Sequence, residues 1–169
     1  LGDVYKRQIL IGMPGAGKSS VGVILAKVLG YEFIDTDLVI QHREKRLLRE
    51  IIADEGNEGF LAIENEVNAT LEADKSVIAP GGSAIYGKEA MEHFKEIGTI
   101  VYLKLSYEDL AKRLGNLKGR GVVLKEGQTL KDLYDERSKL YEQYAEITVD
   151  ESGRDIQGTI LALREQIGM

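Results

Sequence analysis

The run Gly12-Met13-Pro14-Gly15-Ala16-Gly17-Lys18-Ser19 fits the pattern G-x-x-x-x-G-K-[S/T]. It lies between a short apolar stretch, Gln8 to Ile11, and the segment Lys18 to Leu29, with apolar residues at Val21, Ile24, Leu25, Val28 and Leu29. These flanks read as strand, loop and amphipathic helix, the context that turns the pattern from a chance glycine-rich turn into a phosphate cradle. Glycines let backbone N–H groups turn inward around phosphate oxygens, and the start of the following helix adds partial positive charge. Lys18 can reach β and γ phosphates, and the Ser19 hydroxyl is placed to ligate magnesium. The nucleotide contacts expected from the motif are Gly12, Gly15, Ala16, Gly17, Lys18, Ser19 and Ser20.

The rest of the chain repeats the alternation. Gly30 stops the first helix, Tyr31 to Ile34 reads as a second strand, and Asp35-Thr36-Asp37 stands at its end. Helical material runs to about Asp54 and Gly56 breaks it; Phe60, Ile63, Val67 and Leu71 mark one face of another helix. Strands follow at Val77 to Ala79, closed by Pro80-Gly81-Gly82, and at Thr99 to Lys104, with a helix between them over Lys88 to Glu96. A helix from Ser106 to Leu114 takes Ser106 as its N-cap. From Gly115 to Gly127, four glycines mixed with Lys118, Arg120 and Lys125 read as a mobile basic loop. Thr129 caps a helix to about Glu146, Ile147 to Val149 forms a last strand, and Ile156, Ile160, Leu163 and Ile167 stripe a closing helix. The expected fold is α/β: a mainly parallel sheet of about five strands within one domain over residues 1–169.

Composition excludes several classes. With 28 acidic against 22 basic residues, the net charge of −6 provides no basic field for a nucleic-acid backbone. There is no cysteine, so disulfides and thiolate metal sites are impossible, which suits a reducing cytoplasm. No apolar run approaches the roughly 18 residues that cross a bilayer, and no secretory apolar region follows the charged start. A soluble, cytoplasmic protein is expected. Residues 1–7, opening on Leu1, read as a fragment edge or an expression remnant.

The acceptor of a phosphoryl group must be sought at the other strand ends. Of Asp35 and Asp37, one could organise magnesium water and the other accept a proton from, or orient, an attacking hydroxyl; a helix N-cap is the plainer use of such an aspartate, and Asp37 could serve as both. Gly81-Gly82-Ser83 could admit a ligand close to the backbone or be a simple turn. Arg137 falls in register with Tyr134, Tyr141 and Tyr144, which turns its guanidinium inward, where it wants an anionic partner unless its stem snorkels to water. A substrate carboxylate would supply that partner. Arg120, between Gly119 and Gly121, could swing onto the phosphates or stay a solvated loop charge. His42 and His93 read as solvated side chains on polar helix faces.

Taken together, Gly12 to Ser19, Asp35-Thr36-Asp37, Gly56 to Glu64, Gly81-Gly82, Val101-Tyr102-Leu103, the loop with Arg120, and Arg137 to Tyr141 ahead of Ala145 resemble shikimate kinase, over about Gln8 to Val149. The resemblance implies a three-layer, P-loop, nucleoside-monophosphate-kinase-like fold with strand order 2-3-1-4-5 and a mobile lid at about 115–127. It also implies ATP- and Mg2+-dependent phosphorylation of the shikimate 3-hydroxyl. Asp37 would bind and activate that hydroxyl, Asp35 would act with Ser19 in the metal shell, and Gly81, Gly82 and Arg137 would hold substrate. Lys18 and Arg120 would clamp phosphate, and Arg113 would lie beside adenine. Such an active site, closed by its own lid, fits a monomer acting on a small molecule.

Three departures concern the acceptor side. The family's arginine after the phenylalanine of the third motif is Leu61 here, its third glycine is Ser83, and its lid arginine-proline-leucine-leucine is Arg120-Gly121-Val122-Val123. Losing one charged hydrogen bond costs about 1.5–3 kcal/mol, roughly ten- to a hundredfold in affinity. The alternatives to shikimate kinase are a related kinase for another small hydroxylated metabolite and a nucleotide-binding regulatory protein without turnover.

Overall fold

The computed structural model describes residues 7–115 and 126–168. Five strands, β1 (Arg7–Ile11), β2 (Glu32–Asp35), β3 (Ser76–Ala79), β4 (Thr99–Lys104) and β5 (Ile147–Asp150), form one sheet in the order β2-β3-β1-β4-β5. Every pairing is parallel, with Gln8 opposite Val77 on one side and Thr99 on the other. Parallel neighbours need crossovers, which among the described residues are supplied by α1 (Lys18–Leu29), α2 (Thr36–Glu44), α3 (Leu48–Ala69), α4 (Lys88–Ile97), α5 (Tyr107–Gly115) and α6 (Leu130–Tyr144), while α7 (Ile156–Ile167) follows the last strand.

Successive strand residues point to opposite faces, so each strand feeds two cores. Ile9, Ile11, Ile78, Ile100 and Tyr102 pack with Met91 and Phe94 of α4, Leu110 of α5, and Leu133 and Tyr141 of α6. Leu10, Val77, Val101, Leu103 and Val149 pack on the other side with Val21 and Leu25 of α1 and Ile160 and Leu163 of α7. This is the three-layer architecture, and the strand order is 2-3-1-4-5. A third, smaller core of Ile40, Ile51, Phe60 and Val67 joins α2 to α3 beside the sheet.

Two helix readings change. The stripe of α1 is Val21, Gly22, Leu25 and Ala26; Ile24 and Val28 are exposed, because Phe33 approaches Gly22 so closely that a Cβ there would stand 2.6 Å from its ring. In α3, Gly56 interrupts the helix as expected, at φ 72° and ψ 178°. The segment before it is itself divided: Lys45 ends α2 in the left-handed region, and Arg46 bridges Glu44, Asp54 and Glu55 across the junction. Ser106 and Thr129 cap their helices through Asp109 N and Asp132 N. Of the two histidines, His42 is exposed as expected, whereas His93 is half-buried, its Nε2 lying 2.6 Å from the Leu71 carbonyl oxygen.

Candidate active site

A cleft of about 1050 Å³ opens at the carboxyl ends of the strands. Its floor is the turn between β1 and α1. Gly17, immediately before α1, has φ 83° and ψ 22°, a left-handed conformation open to glycine at little cost. No side chain caps α1, so its first amides and their partial positive charge are left for an anion. Lys18 Nζ donates to the Gly12 and Met13 carbonyl oxygens at 2.8 and 3.0 Å, drawing its stem back along the loop. Burial lowers its pKa to about 8, against the attraction of Asp37. Ser19 and Ser20 line the same floor.

At the end of β2 the two aspartates divide their work. Asp35 is the N-cap of α2, its Oδ1 accepting from Asp37 N at 2.9 Å. The capping role considered for Asp37 therefore belongs to Asp35, because Asp37 sits inside the first turn with its carboxyl group in the cleft. Burial, reinforced by repulsion from Asp35 and opposed by Lys18, raises the Asp37 pKa to about 6.

After β3 the backbone passes between both halves of the cleft. A Cβ on Gly81 would stand 3.0 Å from Asp37 Oδ1 and 3.1 Å from Glu64 Oε2; one on Gly82 would stand 2.7 Å from Pro14 Cδ and 3.0 Å from Arg137 Nη1. The pair is thus a close-approach point rather than a plain turn. Tyr141 holds it, donating from its hydroxyl to the Gly82 oxygen at 2.7 Å. Arg137 is 3% exposed, which excludes snorkelling to water. Its guanidinium lies 5.5 Å from the Tyr86 ring centre, its Nε has no hydrogen-bond partner, and it has no salt bridge among the described residues.

Arg113 lines the cleft from α5 and donates from Nη1 to the Gly15 oxygen at 2.9 Å, so it braces the phosphate loop. Arg120 and most of the basic loop lie outside the described residues. Leu61 packs on the small α2–α3 core and does not line the cleft.

Several cleft residues went unread in the sequence. Glu64, 2% exposed, accepts from Ser83 Oγ at 2.6 Å, and burial raises its pKa to about 7. A signal existed: Glu64 lies four residues after Phe60, on the same helical face, where a buried polar group calls for a reason. Glu151, after β5, is also buried, its pKa raised to about 7 by desolvation and partly restrained by Arg113 and Lys18. Arg154, Asp155 and Ile156 complete that wall, and Arg49 stands at the opposite rim. Ile156 was expected in a buried stripe but is 43% exposed because it faces this cleft.

A family model described as "Shikimate kinase" matches residues 14–167. A shikimate kinase 2 from Yersinia enterocolitica is 34% identical over 150 residues, 83% of this chain and 84% of its own. The structure of a shikimate kinase from Acinetobacter baumannii in complex with shikimate superposes with a TM-score of 0.77 at 33% identity, covering 95% of this chain and 89% of that one. A shikimate kinase structure from Bacteroides thetaiotaomicron gives 0.79 at 26% identity, covering 96% and 98%.

Proposed function

The chain belongs to the shikimate kinase family, and from that membership we propose a mechanism in which its own cleft residues carry phosphoryl transfer from ATP to the 3-hydroxyl of shikimate. The observation that carries the reading is convergence. The phosphate loop, the Asp37 carboxyl group and the buried Arg137, which has no salt bridge among the described residues, meet around Gly81 and Gly82 in one cleft. A triphosphate on the α1 amides directs its terminal phosphorus toward Asp37. Arg137 receives the shikimate carboxylate, the anion its buried guanidinium calls for. The 3-hydroxyl oxygen attacks the γ-phosphorus, the bond to the β,γ-bridging oxygen breaks, ADP departs, and the hydroxyl proton passes to Asp37. A carboxyl pKa near 6 keeps Asp37 ionised at neutral pH yet basic enough to take that proton.

Magnesium fits the oxygen donors present. The Ser19 hydroxyl and, through water, the Asp35 oxygen not used in capping would hold it, in keeping with an ion that retains waters and takes few protein ligands. When bound, it neutralises charge on the β and γ phosphates. Arg113 contacts the nucleotide from the wall of the phosphate loop, and Arg120, outside the described residues, is assigned to the phosphates by the family resemblance alone. The unit is one domain spanning residues 1–169 and acts as a cytoplasmic monomer; among the described residues no helix is long and apolar enough to cross a membrane.

Steady-state turnover on shikimate against a panel of hydroxy acids, polyols and amino alcohols tests the acceptor. Shikimate should give the highest kcat/KM, and a better panel member would replace it. In Asp37→Asn, ATP binding should survive and transfer collapse; an unchanged rate would remove Asp37 from the mechanism.

A further inference from the structure

Arg137 is a buried cation with no salt bridge among the described residues, so something other than a counter-ion must hold its guanidinium before a substrate arrives. Two neighbours confine it. The Tyr86 ring centre lies 5.5 Å from the guanidinium carbon, and the Gly82 backbone passes so near that a Cβ there would stand 3.0 Å from Nη1. Tyr86 ends the single turn Ala84–Tyr86, is 36% exposed and does not line the cleft. Its hydroxyl donates to Glu136 Oε2 at 2.5 Å, and Glu136 immediately precedes Arg137 on α6. One turn beyond Arg137, Tyr141 donates to the Gly82 oxygen at 2.7 Å. The segment 82–86 is thus pinned to α6 at both ends, and Arg137 lies between the two pins along the helix. Burial, then the bond to Glu136, raises the pKa of the Tyr86 hydroxyl against the pull of Arg137, so the hydroxyl stays a donor at neutral pH.

Building on the shikimate reading, we propose that Tyr86 is a positioning residue for substrate binding: pinned by Glu136, its ring holds the Arg137 guanidinium in the orientation that receives the shikimate carboxylate. Tyr86 never meets the substrate and acts only through Arg137. An arginine free to sample rotamers would lose that freedom on binding, and ordering it beforehand removes the cost. Glu136 contributes in a second way. A phenol that donates to a carboxylate carries more electron density on its ring face, which strengthens the attraction for a cation. Order at this one side chain matters because Leu61 stands where a second arginine is expected, so more of the carboxylate's binding falls on Arg137.

The test crosses protein variants with a change of substrate. Shikimate and its methyl ester, which keeps the ring and hydroxyls but has no carboxylate, are compared as substrates of the unaltered enzyme, Tyr86→Leu, Tyr86→Phe and Glu136→Gln. Tyr86→Leu should raise KM for shikimate about two- to thirtyfold, the worth of a cation over an aromatic face. Its kcat should hold within about twofold and its KM for ATP should not move, the pattern of lost ground-state binding. Tyr86→Phe and Glu136→Gln should shift KM for shikimate the same way but less, because both keep the ring. For the methyl ester, kcat/KM should agree within about twofold in all four proteins, and in an Arg137→Met background Tyr86→Leu should add nothing to KM for shikimate. Three results would each overturn the proposal: a KM for shikimate unmoved by Tyr86→Leu, an equal loss on the methyl ester, or a full Tyr86 effect that persists without Arg137. A ring that merely packs the fold would act alike in every case. A methyl ester turned over too slowly to measure leaves the Arg137→Met cycle to decide, and if Tyr86→Leu does not fold, Tyr86→Phe carries the same comparisons. No turnover of shikimate by the unaltered enzyme would overturn the acceptor assignment and this inference with it, whereas turnover with any of the three results overturns this inference alone.

Discussion

Replacing Arg137 by methionine should weaken shikimate binding strongly while leaving the fold almost as stable as before. The guanidinium is 3% exposed and has no salt bridge among the described residues, and under the proposed function its partner is the substrate carboxylate. Losing a charge-assisted pair of hydrogen bonds to a carboxylate removes about 1.5–3 kcal/mol, so KM for shikimate should rise about ten- to a hundredfold. KM for ATP should hold, because the α1 amides and Lys18, which would carry the triphosphate, are untouched by the change. On stability two effects oppose. Methionine forfeits the contact over Tyr86, at 5.5 Å, about 0.5–2 kcal/mol. It also removes the unpartnered buried Nε, which costs about 1–3 kcal/mol. The net runs from about 1 kcal/mol of destabilisation to about 2.5 kcal/mol of stabilisation, so Tm should fall by no more than about 2–4 °C. Thermal unfolding with and without shikimate separates the two roles. At a ligand concentration of about 100 Kd the unaltered enzyme gains about 2.7 kcal/mol, and a variant that binds about a hundredfold more weakly gains about 0.4 kcal/mol. A variant with unchanged KM for shikimate, or a fall in Tm of more than about 8 °C, would refute the reasoning and make Arg137 a structural residue.

Other perturbations reach the same cleft by different routes. Asp37 must be ionised to take a proton, so kcat/KM should fall as pH drops through about 6; Lys18 must be charged to hold phosphate, so it should fall again as pH rises through about 8. A rate profile flat across the acid limb would show that Asp37 is not the base. Gly82→Ala would bring a methyl group to 2.7 Å from Pro14 and 3.0 Å from Arg137, so we expect about 1–3 kcal/mol of destabilisation and higher KM for both substrates; an unaffected variant would mean that the gap does not matter. Thr129→Ala breaks a reciprocal cap in which Thr129 and Asp132 bind each other's backbone at 3.1 Å. It should cost about 1 kcal/mol of stability, read as a Tm lower by about 2–4 °C, with turnover at low temperature preserved.

The sequence by itself determined the alternation of strands and helices, the phosphate loop, the caps at Ser106 and Thr129, and the inward turn of Arg137, because these depend on spacing and local geometry along the chain. Strand order followed only from likeness to a family, since nothing local says which strands become neighbours. Tertiary structure decided what distant segments do to one another. Phe33 against Gly22 set which face of α1 is buried. The α2 cap went to Asp35, leaving Asp37 in the cleft. In α3 the buried face runs through Phe60, Glu64, Val67 and Asn68 rather than through Ile63, and Glu64 finds a hydrogen-bond donor only where the chain after β3 brings Ser83 beside it. Polar residues take their meaning from partners far along the chain, and only the folded chain brings those partners within a hydrogen bond's length.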